Sequence, residues 1–97
     1  MIVNKLGCFF LINYIYKMFF TYILKSSKTN KYYYGHTHNL EQRLIVHNRK
    51  KVRFTKAFVP WTVHYFESFE TKSEAYKREL FFKSIDGYVF LKNKNII

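Results

Sequence analysis

A phenol, a guanidinium and an imidazole stand close together in the stretch YYYGHTHNLEQRLIVHN, residues 32–48. Arg43 and His47 are four apart, so a helix carries both on one face. The tyrosine run that precedes them has the composition of a strand, and Gly35 between the two segments permits close backbone approach. A strand, a tight turn and the first turns of a helix would bring the three kinds of group to one place. Phosphodiester cleavage needs a proton acceptor for water and fixed positive charge for the phosphate, and this set supplies both.

Several elements must position these groups. Asn39 followed by Gln42 is a capping-box pattern that opens a helix from Leu40 to about Asn48. Leu40, Leu44 and Val46 are assigned there to the core, with Arg43 and His47 on the opposite, site-facing side. Upstream, FFTYILK (Phe19 to Lys25) reads as a buried strand, and Ser26 to Asn30 as the polar turn of a hairpin that sets Tyr22 beside Tyr33. Downstream, Pro60-Trp61 breaks the chain and TVHYFES (Thr62 to Ser68) alternates as a third strand. Trp61 is expected in the core, and His64 is a strand residue with no special task. Thr71 with Glu74 opens a second helix that runs to Lys83. On it Ala75, one turn before Glu79, leaves space above that carboxylate. Ser84 to Gly87 ends the helix, and Tyr88 to Lys92 forms a short last one. The expected fold is α+β, a small three-stranded antiparallel sheet flanked by helices.

Ninety-seven residues make a single domain with one compact core. The formal charge of +11, from seventeen Lys and Arg against six Asp and Glu, favours an anionic partner. Nucleic acid is the first candidate and an anionic membrane the second. The basic run Arg49, Lys50, Lys51, Arg53 and Lys56 has no acidic residue before Glu67, and reads as a phosphate-contacting loop or as a solvated charged one. The single cysteine, Cys8, excludes an internal disulfide and a cysteine zinc site, which makes a reducing cytoplasm the default. Residues 6–24 are long and apolar enough to suggest a membrane span, but Lys17 inside it would cost roughly 2.5–3.5 kcal/mol. Residues 1–17 are instead read as an extension upstream of a natural start at Met18, followed by a domain over 18–97, and a membrane partner is disfavoured.

The stretch from residue 32, with Thr21-Tyr22-Ile23 before it and Ser73-Glu74-Ala75-Tyr76-Lys77-Arg78-Glu79 after it, resembles the GIY-YIG nuclease domain. It is most similar to small single-domain members related to the incision domain of bacterial excision-repair nucleases. The similarity runs from about Phe19 to near the end of the chain. Two positions depart: Thr21 stands at the family's first glycine and Tyr34 at the isoleucine of its second tripeptide. The resemblance implies a metal-dependent DNA endonuclease with Tyr22 as general base, Tyr33 as its supporting hydroxyl, Arg43 as phosphate clamp and Glu79 as metal ligand. His47 would orient the nucleophile or transfer a proton, and His36 would lie near the phosphate. Arg43 and the cation would have to lower the Tyr22 pKa, because a free tyrosine near 10 is a poor base. One Mg²⁺ or Mn²⁺ ion is expected, since six acids in the chain offer no clustered pair. No small-molecule cofactor is implied, and a protein partner is a route to targeting. A late asparagine of the family has two candidates, Asn93 and Asn95. A binding module that keeps the fold without turnover is the alternative. Taken singly each site residue has a plainer reading: sheet tyrosines, a surface arginine, or Glu79 paired with Lys83.

Overall fold

A computed structural model of the protein describes residues 17–97. The expectations for residues 1–16, including the greater part of the upstream extension and of the apolar stretch 6–24, lie outside the described residues.

Three strands, β1 (Phe19–Ser26), β2 (Tyr32–Thr37) and β3 (Trp61–Phe69), form an antiparallel sheet in the order β2-β1-β3. Helix α1 (Leu40–Asn48) and a short 3₁₀ turn (Lys56–Phe58) connect β2 to β3, and helices α2 (Lys72–Phe82) and α3 (Ile85–Asn93) follow. This is the expected α+β architecture. Successive residues of β1 point to opposite faces and seed two cores. Tyr22 and Leu24 pack with Trp61, Leu40 and Leu44 on the front, while Ile23 packs with Phe82 and Leu91 on the back. Phe19 to Leu24 therefore belong to the central strand rather than to a spanning helix. No helix among the described residues is long and apolar enough to cross a membrane.

β3 serves both cores. Its pairing with β1 slips between Ile23, opposite Tyr65, and Leu24, opposite Val63, so that His64 is the extra residue of a bulge. Trp61 and Val63 consequently face the front core and Tyr65 the back one. On the back face Glu67 accepts from Arg78 Nε at 2.7 Å and from the Tyr65 hydroxyl at 2.6 Å. The Arg78 guanidinium also lies 4.7 Å from the ring centre of Phe81 and 4.8 Å from that of Phe90, which ties β3, α2 and α3 together.

The N-caps form where the sequence indicates, each through its own side chain. Asn39 Oδ1 accepts from Gln42 N–H at 3.0 Å, and Thr71 Oγ1 accepts from Glu74 N–H at 3.2 Å. The last helix starts earlier than Tyr88, because the Ser84 hydroxyl accepts from Gly87 N–H at 3.0 Å and makes Ser84 its N-cap. α1 turns differently from expectation. Leu40, Arg43, Leu44 and His47 share one stripe facing the sheet, and His47 is the buried residue of the helix. Arg43 and His47 are thus not opposite the apolar pair but continuous with it.

Candidate functional site

Gly35 is what allows the first group into place. It lies opposite Tyr22 across the β1–β2 ladder, and a Cβ there would stand 2.4 Å from Tyr22 Oη and 2.5 Å from Cζ. The phenol therefore crosses the edge strand over a residue that has no side chain. The hairpin register differs from the expected one: Tyr22 pairs with Gly35 and Tyr33 with Leu24. The two phenols are diagonal neighbours on the front face, with ring centres 6.4 Å apart.

Around the Tyr22 hydroxyl the front groups converge. Arg43 Nε–H donates to Tyr22 Oη at 3.3 Å, and His47 Nε2 lies 3.2 Å from the same oxygen. The Tyr33 ring sits 4.8 Å from the His47 ring, centre to centre. His47 is wholly buried, and its Nδ1 is 2.8 Å from the hydroxyl of Thr55, also wholly buried. Burial lowers the imidazole to about 4, and the charge of Arg43 acts in the same direction. Burial pushes the Tyr22 phenol up to about 12, against the pull of Arg43 and with a smaller upward push from Tyr33 and Glu79. Arg43 does lower Tyr22, as expected, but desolvation outweighs it and the phenol is neutral at pH 7. The guanidinium, hydrogen-bonded to Tyr22, is held above its ordinary value.

Glu79 and His36 form a second group on the back of the same edge strand. Glu79 is 9% exposed; Oε1 accepts from His36 Nδ1–H at 2.6 Å and Oε2 from Lys83 Nζ at 2.7 Å. His36 also packs on Tyr76, ring centres 5.3 Å apart. Ala75 is fully buried, and its carbonyl accepts from Thr21 Oγ1 at 2.7 Å. The hydroxyl at the first departing position thus bolts β1 to the helix that carries Glu79. Tyr34, at the second, packs on Phe82, ring centres 6.2 Å apart.

Two clefts straddle β2 and join the groups. One of about 260 Å³ is lined by Phe19, His36, Thr37, His38, Arg43 and Lys72, so that it reaches Arg43 of the front group and His36 of the back one. Another of about 310 Å³ is lined by Tyr32, Tyr33, Tyr34, Phe54 and Lys83. Arg49, Lys50, Lys51, Arg53 and Lys56 are exposed and make no ion pair among the described residues, and none of the five lines either cleft. Asn93 closes α3 and Asn95 takes the left-handed turn after it, φ 57°; neither lines a cleft.

The donor set decides what cation could be held. No group of three or more His, Cys, Asp and Glu able to hold a metal exists among the described residues, so a closed site of the zinc kind does not fit. Glu79 alone does fit a hard ion that keeps water and substrate oxygens as its other ligands. A carboxylate has about four lone-pair directions, and His36 and Lys83 occupy only one on each oxygen.

Sequence reasoning missed Thr55, Lys72 and His38. Asn48 was missed also: its amide brackets Trp61, donating to the carbonyl at 3.0 Å and accepting from the N–H at 2.6 Å, which fixes α1 against β3. Nothing local marks these residues: Thr55 and Asn48 acquire their partners, and His38 and Lys72 their place at a cleft, by tertiary folding.

Comparison with known proteins adds an independent finding. The profile of the GIY-YIG catalytic domain matches residues 18–87. A UPF0213 protein of Bacillus licheniformis is 42% identical over 65 residues, 66% of each chain. One of Listeria innocua is 43% identical over 77 residues, 78% of this chain and 80% of the relative. The UPF0213 protein YazA of Bacillus subtilis is 39% identical over 67 residues, 68% of this chain and 67% of its own. No solved structure matches.

Proposed function

The chain belongs to the GIY-YIG family, and from that premise we propose that it is a cytoplasmic, metal-dependent DNA endonuclease that uses the Tyr22 cluster to activate water. The observation that carries the reading is the meeting of Arg43 and His47 on the single oxygen of Tyr22, at 3.3 and 3.2 Å. A neutral buried phenol is a weak base by itself, but it can relay. Tyr22 Oη takes a proton from the attacking water while its own proton passes to His47 Nε2. The hydroxide oxygen forms the new bond to phosphorus as the bond to the leaving oxygen breaks, and that oxygen takes a proton from solvent at the open edge. Negative charge gathering on the phosphoryl group opposes the Arg43 charge that depresses His47, so the imidazole becomes a better acceptor as the reaction proceeds. Arg43, lining the cleft with Lys72, clamps the phosphate. Tyr33 packs the imidazole in place, and His36 holds Glu79.

Glu79 would hold one Mg²⁺ or Mn²⁺ ion, which supplies Lewis-acid relief of charge at the scissile phosphate. The exposed run Arg49 to Lys56 would grip flanking phosphates without reading bases, leaving choice of target to DNA shape or to a protein partner. Plasmid incubated with the purified protein and Mg²⁺ or Mn²⁺ is expected to be nicked. Tyr22→Phe and Glu79→Ala should each reduce the rate by at least about 10². Nicking that survives both substitutions rejects this site, and salt-dependent binding with no cutting in either metal favours a non-catalytic binding module.

A further inference from the structure

We propose that Thr55 is a positioning residue: its buried hydroxyl fixes the His47 tautomer in which Nδ1 carries the proton and the Nε2 lone pair faces Tyr22. Four groups form one chain of contacts. Tyr22 Oη is 3.3 Å from Arg43 Nε and 3.2 Å from His47 Nε2, and His47 Nδ1 is 2.8 Å from Thr55 Oγ1. Thr55 Oγ1 in turn lies 3.4 Å from the carbonyl of Val52. Proton accounting selects one direction along this chain. Arginine only donates and a carbonyl only accepts, so the two ends are fixed. With the Thr55 hydroxyl donating to Val52, the threonine oxygen accepts Nδ1–H, His47 Nε2 accepts the phenol proton, and Tyr22 Oη accepts from Arg43. Every hydrogen then has an acceptor. In the opposite tautomer Tyr22 Oη would accept from both Arg43 and His47, and its own hydrogen would meet no acceptor among the described residues. An unmatched buried hydroxyl is destabilising, so this tautomer is disfavoured.

Thr55 is itself held through both of its backbone groups. Its backbone N–H donates to Val52 O at 3.2 Å, and its carbonyl accepts from the indole N–H of Trp61 at 2.9 Å. Both Thr55 and Trp61 are buried, and the Asn48 amide locks Trp61 to the end of α1. The segment between α1 and β3 therefore has two parts: its basic side chains face outward, and one hydroxyl reaches inward to set the proton on an imidazole eight positions away. As to catalysis, the inference rests on the relay proposed above, because only a free lone pair on Nε2 can receive the phenol proton.

The test uses the full chain labelled with ¹⁵N at histidine and long-range ¹H–¹⁵N correlation at pH 7. Wild type is expected to show His47 protonated at Nδ1 alone. Thr55→Val, which has the same shape and no acceptor, should move His47 to the Nε2–H form or to a mixture, and Thr55→Ser should restore the wild-type pattern. In plasmid nicking, Thr55→Val should lower kcat by about a hundredfold with KM changed less than about twofold, and Thr55→Ser should recover most of the loss. The proposal is overturned if wild-type His47 carries its proton on Nε2, or if Thr55→Val leaves the tautomer unchanged. Should the tautomer respond as expected while no protein cuts DNA with Mg²⁺ or Mn²⁺, Thr55 keeps its assignment and the nuclease reading fails.

Discussion

His47 shows how one buried side chain couples the site to the stability of the fold. Its imidazole sits at about 4 rather than 6.5, chiefly because burial opposes the charged form. Between those two values the unfolded chain binds a proton at this residue and the folded chain does not. Stability is therefore complete above pH 6.5 and falls as pH drops towards 4. The expected loss approaches roughly 3 kcal/mol across that window. Urea unfolding at several pH values, comparing wild type with His47→Gln, measures it as the difference between the two acid slopes, and equal slopes would refute the assignment. At this scale the sequence was legible where partners are near one another along the chain. Arg43 and His47 follow from helical spacing, and Gly35 from its place after the tyrosine run. Thr55 was illegible because nothing in a basic loop announces which residue turns inward.

At the scale of elements, the bounds of α1 and α2 were readable to within a residue, while the start of α3 and the way the helices close were not. A capping box is a four-residue signal, and Asn39 and Thr71 both act as read. The ends of α1 and α3 close by paired bonds instead: Lys50 N–H to His47 O with Lys51 N–H to Val46 O, and Asn95 N–H to Lys92 O with Ile96 N–H to Leu91 O. Each turn needs a left-handed residue, and the chain supplies Lys50 at φ 62° and Asn95 at φ 57° where glycine would be the usual signal. Lysine gains nothing from that conformation. Lys50→Gly is expected to stabilise the fold by about 1 kcal/mol, read as a higher urea midpoint with unchanged slope. A lower midpoint would show that the Lys50 side chain contributes more than its backbone costs. The bulge at His64 was hidden for a related reason. Trp61, Val63, Tyr65, Glu67 and Phe69 alternate without interruption in the sequence, as one face of a strand would, yet the slip in pairing divides them between two faces.

For the whole molecule, the charge of +11 is distributed so that the basic side chains from Arg49 to Lys56 lie exposed and make no ion pair among the described residues, while Glu67 and Glu79 on the back of the sheet are matched. Binding to DNA should accordingly be dominated by phosphate neutralisation. Replacing Lys50, Lys51 and Arg53 together by Gln is expected to reduce the slope of log K against log salt by about 2.5 and to weaken all sequences alike. Fluorescence anisotropy over a salt series gives that slope, and an unchanged value would remove this segment from the interface. The fold class was legible from the order of strand-like and helix-like segments. The shape of the site was not, because the clefts arise where β2, as the outer strand, leaves both faces of the sheet open at one margin.

Neighbouring residues of β1, Tyr22 and Ile23, root separate cores, and β3 crosses from one to the other at His64. Neither layer has a strand it can call its own, so loosening one side withdraws the wall against which the other is packed. Melting should then run through the molecule as a single event, with the water-activating cluster lost at the same temperature as the distant packing of α3 rather than ahead of it.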